Sequence, residues 1–504
     1  MKARARLGLD GQAGLPLAMI LGLSLLLNVW HASFPLGFHF DEPVKLDFIK
    51  TGTQDFHHPL LMLQLVRAAR LLVRADTDQQ LVLLGRVLMG LCGVATVLLS
   101  FLLARHRMSR PWALGCGLAV AVSPILVMHA HYLDERTVFT ASLVAATISF
   151  FHFVDRSGPT ATLWLGLTTG LAWSSHFEGI LLFPLFALAP LMSVGQLRQD
   201  FFARLFQSLL VAGGVFTVVN WPLFVDVQSF LSGMLHGVQH AASGNDVVLW
   251  GYQYLFGFHL VNSLAPGMTW PTLLVALSGM AWGAWRWARI SFEERWIFAA
   301  TLFFYLGAEI PPLKPWPDYA AYAIPVVPFL LFQAAQAAAR LQKRSSSSSA
   351  DLLVASAFVG VVVLYPLVDT IRLVDGLAHD TRNVAAAWLQ ANQGKVLVER
   401  YASTVPTEGV RSVTSVDANE LKRLGIDYVL TSNFMYERFE VGHRLSGQDS
   451  SVYRAHERYE QLFAHPYIEI LPAFRSYAFS NPIIRIVDLR TPAERLARPM
   501  RAMP

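Results

Sequence analysis

Residues 38–61, FHFDEPVKLDFIKTGTQDFHHPLL, pack four acids, two lysines and three histidines into 24 positions directly after the first apolar segment of the chain. Asp41 and Glu42 open this cluster, and His57 and His58 close it. The plainest account of an Asp-Glu pair at such a boundary is a solvated acidic face. The neighbouring residues argue for more. PVKLDFIKTG carries Val44, Phe48 and Ile49, and the stretch 57–74 carries Leu60, Leu61, Leu63, Leu65, Leu71 and Leu72 with Arg67, Arg70 and Arg74. Both segments suit amphipathic helices lying at a lipid interface. Two such helices would enclose a pocket at the outer leaflet, where an acid meets a substrate whose tail stays in lipid. Ionisable groups are costly in hydrocarbon. In a wet cavity at the lipid surface they are useful.

The elements that must position this cluster are apolar. Of 504 residues, 54% are hydrophobic and 15% charged, and the mean hydropathy is +0.42. Soluble domains carry about 25% charged residues, so the polar surface is too small for a soluble protein of this size. The apolar residues come in long blocks, the mark of many transmembrane helices. Spans are expected at 15–31, 80–104, 112–130, 136–154, 161–175, 179–194, 205–224, 267–285, 294–311, 319–339 and 351–368, about eleven in all. The N-terminus has a basic start and an apolar core. Asn28-Val29-Trp30-His31 stands where a signal peptidase needs small residues, so the segment is expected to remain as the first span.

The formal charge of +5 does not indicate nucleic-acid binding, because the basic residues cluster in short linkers. Lys2, Arg4 and Arg6, RHRMSR (105–110), RWARISFEER (286–295) and ARLQKRSSSSSAD (339–351) fall on one side, which the positive-inside rule makes the cytoplasm. The 38–61 cluster, HYLDER, SSHFEG, the 225–265 loop and PPLKPWPDY then fall outside. Ser345–Ser349 read as a flexible inner linker. Cys92 and Cys116 both lie in apolar segments, where thiols pack as small hydrophobes. After about residue 370 the composition changes. DTRNVAAAWLQAN and DANELKRLGI read as helices, and KVLVERY, DYVLTSN and PIIRIVDL as strands. The expected organisation is a membrane domain over 1–370, its outer loop 32–79 holding two interfacial helices, and a small extracytoplasmic α/β domain over 371–504.

An Asp-Glu pair soon after the first span, two interfacial segments and then His-Pro resemble the opening of GT-C glycosyltransferases. The likeness is to bacterial protein O-mannosyltransferases and the aminoarabinose transferase of lipid A. It extends over most of the chain. HYLDERTVFTASL resembles the second outer loop of these proteins, SSHFEGILLFP a later loop, and HLVNSLAPGMTWPTLLVALSGM the entry to a later span. KPWPDYAAYAIPVVPFLL resembles their Lys-x-x-x-Tyr-x-x-Pro-x-x-Pro segment. DTRNVAAAWLQAN, VLVERY and LGIDYVLTSNFMYER resemble their extracytoplasmic domain. The order and spacing of these motifs are specific, although no single motif is. Two positions depart from the pattern. His58-Pro59-Leu60 replaces a Lys-Pro-Pro or His-Pro-Pro, and His176 stands at a position usually held by lysine. Histidine is neutral above about pH 6.5 unless partnered, so charge compensation there falls to a partner or to other cations.

The resemblance implies a polytopic α-helical GT-C enzyme in the bacterial inner membrane. It would move a sugar from a polyprenyl-phosphate donor to an acceptor hydroxyl on a protein, lipid A or an envelope glycan. Asp41 matches the base position, with Glu42 in support. His58, Asp134, His176 and Lys314 match positions that approach the donor and its phosphate, and His57 and Arg136 lie where they could reach that phosphate as well. Asp41, Asp134, His57 and His259 are candidate ligands for a divalent cation, Mg²⁺, Mn²⁺ or Zn²⁺; a metal-free site is the alternative. For Arg136 a salt bridge to Asp134 or Glu135 competes with the phosphate role, and for Lys314 snorkelling does. A transporter or flippase is the rival class. It would place broken helices and charges near the midplane in repeats, whereas here the charges gather in outer loops and no repeat is visible.

Overall fold

In hydrocarbon a backbone must satisfy its own hydrogen bonds, so apolar runs fold as helices. The computed structural model describes residues 11–52, 56–156, 158–193, 199–243, 249–250, 256–311, 313–314, 318–345, 347–392, 394–402, 413–414, 417–446, 450–474 and 479–497. Helical structure occupies each segment expected to span. Among the described residues, five helices are long and apolar enough to cross a membrane: Asp78–Arg105, Glu135–Asp155, Phe201–Val219, Ala320–Arg344 and Ser348–Ala391. The number rises to seven if each of two bent pairs is one span. These are Arg110–Ala121 with Pro124–Ala130, bent by 54°, and Leu260–Met268 with Trp270–Trp285, bent by 110°. Gly14–Val29 and Phe177–Ala187 are apolar but shorter.

Local chemistry sets the breaks and starts. Pro124 cannot donate a hydrogen bond into the preceding turn, and the helix kinks there. At that kink the Val122 carbonyl accepts from Thr370 Oγ1 at 2.8 Å, so a distant helix satisfies a group that lipid could not. Asp78–Arg105 begins with a capping box: Thr77 Oγ1 accepts from Gln80 N, and the Gln80 side chain accepts from Thr77 N. Part of the serine run expected as a flexible linker lies at a helix start. Ser347 caps the helix beginning at Ser348, its side chain accepting from Ala350 N at 3.3 Å, because a serine hydroxyl reaches the free amides of a first helical turn.

The helices Glu42–Thr51 and Leu61–Leu72 stand where the two interfacial segments were expected. The first keeps Leu46 and Ile49 inward, the second Leu61, Met62, Leu63 and Val66, while Leu71 and Leu72 are exposed. Two small sheets complete the chain. β1 (Leu249–Trp250) pairs antiparallel with β2 (Leu313–Lys314). β3 (Val396–Val398), β4 (Tyr428–Ser432), β5 (Tyr467–Ile470) and β6 (Ile484–Asp488) form a sheet ordered β3-β4-β6-β5, parallel only between β3 and β4. Three of these strands lie in the segments read as strands. The edge strand β5 was not anticipated; it is four residues long, with Ile470 buried. The helices Thr381–Ala391 and Ala418–Arg423 fall in the two segments read as helical.

Pro159–Ser175 packs closely along Phe201–Val219 at Gly166 and Gly170. A Cβ at Gly166 would lie 2.5 Å from Val211 Cβ and 2.8 Å from the Ser208 carbonyl oxygen. At Gly170 it would lie 2.6 Å from Val215 Cβ and 2.9 Å from the Ala212 carbonyl oxygen. Small residues four apart permit this backbone approach. Gly170→Val should destabilise the protein by about 1–3 kcal/mol through overpacking, read as a lower unfolding temperature in detergent. An unchanged temperature would mean the two helices do not pack this closely.

Candidate active site

The Asp41 loop is held by a buried ion pair. Arg86 stands alone as a cation in the apolar run LVLLGRVLMGLCG, and its side chain is fully buried. It grips both oxygens of Glu42, Nε at 3.0 Å and Nη2 at 2.5 Å. It also donates to the carbonyls of Ala32 (2.9 Å) and Phe34 (2.5 Å) and stacks 3.4 Å above the Phe34 ring. The Leu133 amide donates to Glu42 Oε1 at 3.3 Å. One carboxylate thus joins the loop after the first helix, the helix Asp78–Arg105 and the loop at Leu133. Glu42 is enclosed beneath the site instead of facing it with Asp41. Arg86 was not singled out from the sequence, although a lone arginine within an apolar span is the signal that finds such a residue.

A second clamp comes from the C-terminal part. Asp380 and Arg382 form a fully buried pair at 2.8 Å. Arg382 Nη1 donates to the Phe38 carbonyl and Nη2 to the Phe479 carbonyl, both at 2.8 Å, while its guanidinium lies 4.0 Å over the Phe38 ring. Asn481 N donates to Asp380 Oδ2 at 2.7 Å. Next in the chain, His39 is buried with its ring 4.8 Å from that of Tyr132 and 4.2 Å from that of Phe479. Its Nδ1 accepts from the Asp41 amide at 3.3 Å. Burial, working against the pull of Asp41 and Glu42, lowers the His39 pKa and keeps the ring neutral, as that accepting nitrogen requires. Asp41 follows at the start of the helix Glu42–Thr51. It is half-buried and its side chain caps nothing. Among the described residues its carboxylate takes no hydrogen bond or ion pair.

The loop at residues 131–136 brings the next set together. Lys45 Nζ reaches Glu135 Oε2 at 2.6 Å and the Leu133 carbonyl at 2.7 Å. His58 Nε2 lies 3.0 Å from Glu135 Oε1, and its ring is 5.4 Å from that of His176. Burial disfavours the Lys45 ammonium, but Glu135, Asp41 and Asp134 outweigh it and hold the pKa above that of a free lysine. Burial, Arg136 and His58 push His176 well below the usual histidine value, so this ring is neutral. Asp134 caps the helix Glu135–Asp155 by accepting from Arg136 N at 2.9 Å, and its other oxygen meets His129 Nδ1 at 2.8 Å. Arg136 lies 4.2 Å over the Tyr322 ring.

Other expected residues are placed apart. His57 stacks on His236 at 4.3 Å. His259 is buried, its Nδ1 2.9 Å from Ser263 Oγ and its amide donating to Glu309 at 2.7 Å. The backbone of Lys314 pairs with Leu249, and its side chain lies outside the described residues. Asp41, Asp134, His57 and His259 do not converge as metal ligands. Among the described residues no group of three or more His, Cys, Asp or Glu could hold a metal ion, because the side chains named are turned to His129, His236 and Ser263. Sequence reading passed over Lys45 and His129. Lys45 lies one helical turn after Asp41 and His129 five residues before Asp134, spacings that would have placed them beside those acids.

This architecture has solved counterparts. The crystal structure of the Archaeoglobus fulgidus oligosaccharyltransferase in the apo form matches with a TM-score of 0.59 at 13% identity, over 94% of this chain and 75% of that one. ArnT from Cupriavidus metallidurans bound to undecaprenyl phosphate matches with a TM-score of 0.54 at 14% identity, over 96% of this chain and 100% of that one. The Archaeoglobus enzyme in complex with Zn and sulfate matches with a TM-score of 0.52 at 14% identity, over 91% of this chain and 72% of that one. No family model matches the sequence, and no curated protein does. The chain has the GT-C fold, as the order of its motifs suggested.

The acid side of the site is testable through Asp134. Burial alone would raise its carboxyl, but the hydrogen bond and charge of His129 bring it down to about 2 from the usual 3.8. A carboxylate with a depressed pKa stabilises the folded state fully above its unfolded value, and this contribution is lost as pH falls through the folded one. The wild-type unfolding temperature should therefore drop between about pH 4 and pH 2, and Asp134→Asn should show a shallower drop over that window. Parallel curves would remove Asp134 from this role.

Proposed function

We propose that the chain is an integral membrane glycosyltransferase that moves a sugar from a polyprenyl-phosphate donor to an acceptor hydroxyl, with Asp41 as the general base. The observation that carries this reading is the contrast between two adjacent acids in a GT-C fold. Glu42 is closed off by Arg86, while Asp41 is held at the same loop with its carboxylate uncommitted. In the reaction the acceptor oxygen bonds to the anomeric carbon as the bond from that carbon to the phosphate oxygen breaks. The phosphate leaves with the electron pair, and Asp41 takes the hydroxyl proton. Cations stabilise the leaving phosphate. In this reading Lys45 and Arg136 are those cations, and His58 and His176 supply hydrogen-bonding groups. His57 and Lys314 line the donor path in this reading.

Support for the donor class comes from the neighbours. ArnT from Cupriavidus metallidurans was solved with undecaprenyl phosphate, and the Archaeoglobus oligosaccharyltransferase with dolichol-phosphate and an inhibitory peptide. The sugar is a hexose or pentose, and the acceptor a protein, lipid A or an envelope glycan. A divalent cation, as in the Zn complex of the Archaeoglobus enzyme, would need ligands beyond the four residues first considered. The reading places eleven spans and residues 1–370 in the bacterial inner membrane, with 371–504 as an extracytoplasmic domain. An alkaline phosphatase fused to the C-terminus should then be active; an inactive fusion with an active cytoplasmic reporter at the same point would reverse the orientation.

Asp41→Asn keeps size but cannot take the proton. It should fold, bind undecaprenyl phosphate and lose turnover by a factor of about 10² to 10⁴, followed as release of polyprenyl phosphate from a labelled donor. Glu42→Gln should act differently, leaving a buried guanidinium short of charge and lowering the unfolding temperature. Activity of Asp41→Asn within about tenfold of wild type would be too high for the loss of a base and would reject the assignment.

A further inference from the structure

The carboxyl ends of the parallel strands β3 and β4 meet the Asp41 loop. Ligands in open α/β sheets bind outside the carboxyl ends of strands. Directly after β3 come Glu399, Arg400 and Tyr401. Glu399 is buried and accepts from Tyr459 Oη at 3.0 and 2.9 Å, from Val413 N at 2.8 Å and from the Thr431 hydroxyl. That anchor fixes the turn. Tyr401 adopts a left-handed backbone, φ 66°, which a bulky residue holds only where its surroundings impose it. Its ring packs on Phe40, Phe434 and Phe479, with Arg438 5.7 Å from the ring centre. Arg400 is exposed and lies 3.2 Å over Phe40, the residue before Asp41.

The other arginines that grip this loop are committed, Arg86 to Glu42 and Arg382 to Asp380. Arg400 has no carboxylate partner among the described residues. An exposed guanidinium stacked on an aromatic ring is oriented and still offers its donor fork, which matches phosphate geometry. We propose that Arg400, oriented by Phe40 and the strained Tyr401 turn, forms an acceptor subsite beside Asp41 for a hydroxyl-bearing compound that carries a phosphate group. This rests on the glycosyltransferase reading and narrows its acceptor to an anionic one. The donor also carries a phosphate, so the test must separate the two sources.

Full-length protein in detergent, saturated with undecaprenyl phosphate, is titrated with glycerol phosphate and with glycerol, and binding is followed by ligand-observed saturation-transfer NMR. Wild type should bind glycerol phosphate and not glycerol. Arg400→Gln should weaken that binding about fivefold or more, as loss of a charged hydrogen-bond donor does, and Arg400→Lys should retain most of it. Undecaprenyl phosphate affinity should be equal in all three, which also shows that the variants are folded. Equal glycerol phosphate binding by Arg400→Gln, or none by wild type, would overturn the subsite. So would a parallel loss of undecaprenyl phosphate affinity, since Arg400 would then serve the donor. Failure of wild type to bind undecaprenyl phosphate would sink the glycosyltransferase reading instead. The glycerol phosphate arm, repeated without the lipid, would still decide whether Arg400 makes an anion site.

Discussion

The buried pair of Arg86 and Glu42 is the constraint on which the site depends. A guanidinium inside an apolar helix is unfavourable unless its charge and donors are met. Here one carboxylate and two loop carbonyls meet them. The consequence is geometric: the chain leaving the first helix must turn back over Arg86, and the next helix must begin where Glu42 can reach down. Asp41 is thereby placed at the start of that helix. Such a pair need not stabilise the fold more than apolar residues would. It does dictate which segments meet.

The Arg382–Asp380 pair repeats the device from the other side. Arg382 binds the Phe38 carbonyl three residues before Asp41, so the C-terminal part holds the loop as well as flanking it. The sheet matters here because it presents its strand ends to that loop. The loop that carries Asp41 is thus tied at two points by buried arginines. Positioning of this kind is what lets a single carboxylate act on a bound hydroxyl.

The charges around the loop are arranged unevenly. Glu135 is shared by Lys45 and His58, and Asp134 is shared by His129 and a helix amide. Glu135 and Asp134 are therefore engaged by neighbouring side chains, while Asp41 remains uncommitted. His176 carries no charge in this setting. A lysine at its position would be pressed by Arg136 as well as by burial, which gives a physical reason for a neutral ring there.

The sequence by itself determined the class of fold. Long apolar blocks, basic linkers and the ordered motifs led to a polytopic GT-C architecture, because hydrophobic length and charge placement are properties of the chain read in line. Asp41, His58, Asp134, Arg136 and His176 were legible as candidate site residues for the same reason: each sits in a short polar interruption between apolar runs. What each one does was decided only in three dimensions. Asp41 and Glu42 are neighbours with the same chemistry, and the sequence cannot say which of them meets Arg86, 44 positions from Glu42. Nor can it show that Arg382 and Arg400, near the far end of the chain, close on Phe38 and Phe40. Roles depend on burial and on partners distant in sequence, and both exist only once the helices have packed.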